Sequence, residues 1–452
     1  MKIYPVKLSE NRNYTRKNNQ PAMGGLSQNS IVKNNFNDYK KTAGYGIAAA
    51  ALCGGIYYIC KGKGVSNFSK TLAKSMNANS GTNVNPYSLK SVMSGDELLK
   101  ILPDLNRDNY IYSKENAAAG IFRADLHSHS NHSDGEGSVK NLLNEAAEYA
   151  DKLYAKTKQK FIFALTDHDT TEGVKEALQI ISSEPKKYKN LKFVPAIEVS
   201  FAHSSPNSSN PCEMSELLVY GVNPYSEKVS NFLNNIKTKR ENMVKNFLKN
   251  AGEKCPLTKF DFDEFSKYYE FKKYGNLMNI HWRIYHYVQT KHAAAVTAGQ
   301  KGIDAQKFFE EIMQPNATVQ TLKESGKLPN EINEEPLFRE IVTKVSPHFE
   351  NDKIIAQSEN TFEEVMDAFK GEPEIFMSYA HPFYFMEHTG NIEQTLKYFT
   401  QKSKGLIKAS ESYHQAYGKH VNLIEVGRIE AETEKLNLLN TGGRDNHNAK
   451  LF

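Results

Sequence analysis

Cysteine is scarce in this chain. The four present, Cys53, Cys60, Cys212 and Cys255, form no C-x-x-C pair, so neither a disulfide framework nor a thiolate metal site is expected, and a reducing compartment is favoured. Tryptophan occurs once, as Trp282. No stretch repeats internally, which excludes a solenoid or propeller. A strong net charge is also missing: the sum is +5, and it is uneven. Residues 1–43 hold Lys2, Lys7, Arg12, Arg16, Lys17, Lys33, Lys40 and Lys41 against Glu10 and Asp38, so the rest is close to neutral. A surface that coats nucleic acid is therefore not indicated.

At 452 residues, with 39% hydrophobic and 11% aromatic content, the chain can build one large catalytic domain plus accessory segments. Residues 1–42 read as a basic, disordered tail rich in Asn, Ser and Lys. Ala43 to Cys60 runs eighteen residues without a charge, between Lys40, Lys41 and Lys61, Lys63. That is a candidate transmembrane helix, although its Ala and Gly content also suits a peripheral or buried helix. Residues 61–94 read as a linker. The expected localisation is a cytoplasmic catalytic domain, either tethered through 43–60 or free.

The densest chemistry lies between Arg123 and Gly137, where His127, His129, His132, Asp134 and Glu136 fall close together. His127 and His129, at i and i+2, point to one face of a strand end. Behind them Val139, Leu142, Leu143, Ala146, Ala147, Ala150 and Leu153 recur at helical spacing after the capping candidate Ser138. Phe161 to Leu165 is a buried-type strand ending in Thr166, Asp167, His168 and Asp169. Strand, polar tip and helix together make an α/β unit, in which strand ends carry function.

Further strands are expected at 193–199, carrying Glu198, at 216–222, starting with Glu216, and at 375–379, leading to His381. Another at 438–439 leads to Arg444, Asp445 and His447. Between the strands at 216–222 and 375–379, residues 226–350 read as a helical insertion. Its first helix has an apolar face of Val229, Phe232, Leu233, Ile236, Met243, Val244, Phe247 and Leu248, broken only by Arg240. The barrel itself is expected over 95–225 and 351–452.

Collected at strand ends, His127, His129, Asp134, His168, Glu198, His381, Asp445 and His447 form a mixed imidazole and carboxylate set. Such ligands suit Zn, Mn or Fe, and they are too many for one tetrahedral ion. Two or three divalent ions are expected, with Glu198 able to bridge. Adjacent ions clamp both oxygens of a phosphoryl transfer and lower the pKa of a bound water, so phosphoester hydrolysis by metal-bound hydroxide is the natural reaction.

These residues resemble the PHP family, named for polymerase and histidinol phosphatase. The matching motifs are D-L-H-S-H-S-N-H-S-D-G at 125–135, A-L-T-D-H-D-T at 164–170, A-I-E-V-S at 196–200, A-H-P at 380–382 and T-G-G-R-D-N-H at 441–447. The resemblance covers about 121–225 and 375–452. It implies a distorted (β/α)7 barrel with a trinuclear centre at the C-terminal strand ends. It also implies that His127, His129, Glu198 and Asp445 hold one ion, Glu198 and His381 a second, and Asp134, His168 and His447 a third.

The family usually has a His where this chain has Glu216, so either Glu216 or the nearby His203 is expected to complete the second set. Arg444 stands where a Ser is common and is expected to grip phosphate. His281 and Arg283, beside Trp282, are candidate substrate contacts in the insertion. His168, Asp134 and Arg444 are the expected catalytic groups. The insertion is similar to that of the branch acting on nucleoside bisphosphates and RNA 5′ ends, which implies a nucleotide or short oligonucleotide substrate. Histidinol phosphate is the alternative substrate. A membrane-tethered, metal-binding scaffold without turnover is the alternative outside enzymes.

Overall fold

The computed structural model describes residues 86–203, 213–254, 259–268, 287, 291, 359–382, 392–415 and 423–452. The tail, the candidate span 43–60 and the pair His281 and Arg283 lie outside the described residues. No helix among the described residues is long and apolar enough to cross a membrane.

Seven strands form one sheet in sequential order. They are β1 (Ala124–Asp125), β2 (Phe161–Leu165), β3 (Leu191–His203), β4 (Glu213–Tyr220), β5 (Phe376–Tyr379), β6 (Ile407–His414) and β7 (Leu439–Gly443). The sheet nearly closes into a barrel. At the seam the Leu126 N–H donates to Gly442 O at 3.2 Å and the His129 N–H to Asn446 O at 2.9 Å. A Cβ on Gly443 would lie 2.4 Å from the Cβ of His127, so only glycine lets β7 approach there.

The described helices are α1 (Gly95–Ile101), α2 (Arg107–Tyr110), α3 (Lys114–Ala119), α4 (Val139–Thr157), α5 (Glu172–Ser183), α6 (Glu227–Lys254), α7 (Phe262–Tyr268), α8 (Phe362–Phe369), α9 (Ile392–Lys402) and α10 (Leu423–Lys435). Ser138 caps α4 by accepting from the Asn141 N–H. Its expected apolar face, from Val139 to Leu153, is buried.

One expectation is sharpened and two change. The distortion expected of the (β/α)7 barrel lies at β4, which runs antiparallel to both β3 and β5, while the other pairs are parallel. An apolar run carries no sign of its direction. The linker also ends earlier than 94: Leu89, Val92 and Met93 are buried, and residues 91–93 hydrogen-bond along Phe193 of β3. The short 438–439 strand extends through Gly443.

Alternation sorts the side chains into two layers. Leu126, Ala164, Ala196, Leu218, Tyr220, Phe376 and Ala409 belong to the cluster filling the barrel. Ile197, Val199, Leu217, Val219, Met377 and Ile407 belong to the cluster that packs the outer helices. Each large side chain so buried contributes about 1.5–3 kcal/mol, and this apolar frame holds the polar rim in place. Glu198, in phase with Ala196, faces inward.

Candidate metal centre

The polar groups converge at one rim. His127, His129 and Asp134 follow β1, His168 follows β2, His381 follows β5, and Asp445 and His447 follow β7. Glu198 lies within β3. Because β4 runs the other way, its beginning sits at this rim, and Glu216 pairs in register with Ser200.

Glu198 is the hub. Its Oε2 lies 3.0 Å from His127 Nε2, 3.2 Å from His129 Nε2 and 3.4 Å from His168 Nε2. Its Oε1 lies 3.0 Å from His381 Nε2. Asp445 Oδ1 is 3.1 Å from His129 Nε2 and 3.4 Å from His127 Nε2. Asp134 is 3.2 Å from His447 Nε2 and 3.8 Å from His168 Nε2. Glu216 is 3.2 Å from His381 Nε2 and 3.5 Å from His168 Nδ1.

A second ring braces the first. His127 Nδ1 lies 3.0 and 3.1 Å from the two oxygens of Glu411, which also accepts the His381 N–H at 2.9 Å. His414 Nε2 lies 3.2 Å from Asp445 Oδ2. Asp167 accepts from the Ser130 N–H and from the hydroxyls of Ser130 and Ser133, so it shapes the loop that carries Asp134. His132 instead pairs with Glu176 at 2.8 Å, and Glu136 is exposed.

The concentration of charge favours cations. Burial opposes ionisation of Glu198 and Asp445, yet the surrounding imidazoles hold both carboxyls well below their usual range. Burial likewise opposes a charge on His129, but Asp445, Glu198 and Asp134 push it up to about 10; carboxylates drive His127 and His381 well upward in the same way. Protons alone meet this demand poorly. His127 Nε2 and His129 Nε2 face each other at 3.1 Å, so at most one can carry a hydrogen between them. A divalent ion uses both lone pairs, and the set of imidazole nitrogens and carboxylate oxygens fits Zn, Mn or Fe.

Among the described residues, four groups bring their donor atoms close enough to share an ion. They are His127, His129, Glu198 and Asp445; His129, Asp134, His168 and His447; His168, Glu198 and Glu216; and His127, Glu411 and His414.

Two expectations are corrected. His203 does not reach the rim: three residues beyond Ser200, it points to the opposite face, where Nε2 meets Ser215 Oγ at 2.7 Å and the ring packs edge-on to Phe399. Arg444 does not face the imidazoles. Its Nε donates to Asp125 Oδ2 at 2.8 Å, and its guanidinium lies over Phe452 and Tyr112 at 4.9 and 5.1 Å. β7 ends at Gly443, and Asp445 takes a left-handed φ of 49°, so the backbone turns there and sends Arg444 and Asp445 to different sides.

No family model matches the sequence, and no curated protein matches it either. Among solved structures, one similar chain is an amidohydrolase from Chromobacterium violaceum with bound sulfate and no metal, 17% identical, covering 72% of this chain and 88% of that one at a TM-score of 0.38. Another, from Bifidobacterium adolescentis and provisionally described as a metal-dependent phosphoesterase, is 17% identical over the same shares at 0.39. Likenesses this distant say nothing about chemistry, which rests on the site itself.

Sequence reading passed over Glu411 as a site residue. The signal was a lone carboxylate in the otherwise buried stretch A-S-E-S-Y-H of β6.

Proposed function

We propose that this chain is a metal-dependent phosphoesterase. The observation that carries the reading is the crowding of Asp134, Glu198, Glu216, Glu411 and Asp445 at one rim, where their ion-pair partners among the described residues are imidazoles. Several buried negative charges without a Lys or Arg need divalent cations.

His127, His129, Glu198 and Asp445 would hold one ion, and Asp134, His168 and His447, with His129 close by, another. Glu198, His381 and Glu216 would hold a third, with Glu216 in the place where the family usually has a His. Divalent ions bound there would lower the pKa of a water and offset the charge on phosphoryl oxygens.

The chain's own groups set the direction of approach. The side chains of His127, His129 and Glu198 are fully buried, whereas His447, Asp134 and Glu216 are 18%, 24% and 24% exposed, so substrate would enter over the side lined by these three residues. Burial opposes the charge on Asp134, but His168, His447 and His129 outweigh it and keep the carboxyl below its usual range. As a partly exposed carboxylate it is placed to accept a hydrogen bond from a water beside it. His168 Nε2, between Asp134 and Glu198, would serve as a ligand to the adjacent ion.

The substrate class we favour is a nucleotide phosphate ester or an oligonucleotide end, on the strength of the motif resemblance and the insertion after β4. The test pairs metal analysis of the purified full chain with phosphate release from nucleotide mono- and bisphosphates, short 5′-phosphorylated RNA and histidinol phosphate, for wild type and His168→Ala. Bound metal with turnover that His168→Ala abolishes is expected. A metal-replete protein that releases phosphate from none of them would leave the scaffold reading standing instead.

A further inference from the structure

The first helix of the insertion reaches back into the barrel. Arg240, within α6, is 2% exposed. Its Nη2 donates to Asp169 Oδ2 at 2.8 Å and to Glu359 Oε2 at 2.5 Å, and its Nε to Glu359 Oε1 at 3.0 Å. Removing three charges from water is costly, and well-packed apolar side chains of similar volume commonly do as well or better for stability. The rest of this helix face is apolar, with Val229, Phe232, Ile236, Val244 and Leu248 all buried. A guanidinium at this point therefore calls for a role beyond packing.

Asp169 connects it to the metal centre. It directly follows His168 and adopts a left-handed φ of 50°. Its backbone N–H donates to Glu198 O at 2.8 Å, and its Oδ1 accepts from the Ser200 N–H at 3.2 Å. One residue thus locks the loop bearing His168 to the strand bearing Glu198. On the other side, Asn360 O accepts from the Ala202 N–H at 2.7 Å, and Lys239 Nζ donates to Asn360 Oδ1 at 3.0 Å and to Glu364 at 2.7 Å. Helix α6 and the segment entering α8 therefore meet behind His168, on adjacent residues of one helix.

We propose that Arg240 is a positioning residue: acting through Asp169, it holds His168 and Glu198 in register for metal binding and ties that register to the helix that opens the insertion. This rests on the metal-centre reading above. Groups that orient ligands from behind commonly govern metal affinity by 10–100-fold. The fork geometry matters, because lysine cannot bridge both carboxylates with paired donors.

The test is titration of the metal-free full chain with Mn²⁺, reading free ion by electron paramagnetic resonance, for wild type, Arg240→Lys, Arg240→Ala and Asp169→Asn. Circular dichroism and thermal melting check each fold. Arg240→Ala is expected to weaken at least one Mn²⁺ site by tenfold or more while another stays close to wild type, with Arg240→Lys in between. Millimolar guanidinium chloride, against sodium chloride at equal ionic strength, is expected to recover affinity in Arg240→Ala by refilling the vacated cavity.

A folded Arg240→Ala that binds Mn²⁺ as wild type does would overturn the proposal. So would equal weakening of every site with no guanidinium recovery, the mark of a purely structural residue. If Arg240→Ala does not fold, Asp169→Asn decides: weakened binding supports the proposal and wild-type binding overturns it. A wild-type chain that binds no Mn²⁺ sinks the metal-centre reading together with it, whereas wild-type binding with unaffected variants sinks the positioning role alone.

Discussion

Glu411 backs His127: both carboxylate oxygens lie within 3.1 Å of Nδ1, while Nε2 of the same ring faces Glu198, His129 and Asp445. A carboxylate behind an imidazole fixes the tautomer that leaves Nε2 unprotonated and raises its basicity as a ligand.

Substituting Glu411 should therefore weaken metal binding without removing a direct donor to the first ion. Glu411→Gln keeps an acceptor but loses the charge, and about a tenfold loss of affinity is expected; Glu411→Ala should cost about a hundredfold. Calorimetric Zn²⁺ or Mn²⁺ titration checks both, and unchanged affinity in the alanine variant would remove Glu411 from the centre.

Arg444 should matter to stability and not to metal. Asp125 is fully buried, and Arg444 supplies both a backbone N–H at 3.0 Å and the guanidinium. Arg444→Met would leave a buried carboxylate without its cation, a loss of about 3–5 kcal/mol. Denaturant unfolding should show this, with metal content retained. A stable variant with a raised KM for phosphate esters would restore Arg444 as a substrate contact.

Glu216 marks the carboxylate-rich part of the centre, beside His381, His168 and Glu198. Imidazole suits Zn, whereas carboxylate suits Mn and Mg. Glu216→His should shift competition between the two ions toward Zn, read as the metal ratio after dialysis against equal concentrations. An unchanged ratio would place Glu216 outside the coordinating set.

His203 offers a pH signature away from the metal centre. Burial pushes its pKa down from 6.5 to about 4, so between those values the unfolded chain takes the proton more readily than the folded one. Stability is then fully present above about 6.5 and drains away as pH falls toward 4, by on the order of 3 kcal/mol. His203→Gln should flatten that part of the stability profile relative to wild type. Parallel profiles would mean that this ring is not the titrating group.

The inward-facing ligands were legible in the sequence because each stands at the polar tip of an apolar run, and tips of α/β units gather on one rim. Two features were not. The direction of β4 leaves no trace in E-L-L-V-Y, which reads the same either way, yet it decides why Glu216, at the start of a strand, joins groups at the ends of others. Arg444 and Asp445 are adjacent, and only the local backbone decides which of two polar neighbours turns inward. Arg240 was visible as the one interruption of an apolar helix face, but the carboxylates that explain it, Asp169 and Glu359, are distant in sequence.

The seam between β1 and β7 has a consequence for how the protein is made. His127 and His129 emerge early in synthesis of the domain, while Asp445 and His447, which complete their ion sets, emerge after β7, from the strand that Gly443 lets close against His127. No nascent chain halted before β7 carries either complete set. Capture of these two ions thus becomes a checkpoint that only a chain translated past β7 and closed can pass, whereas the set of His168, Glu198 and Glu216 is complete earlier.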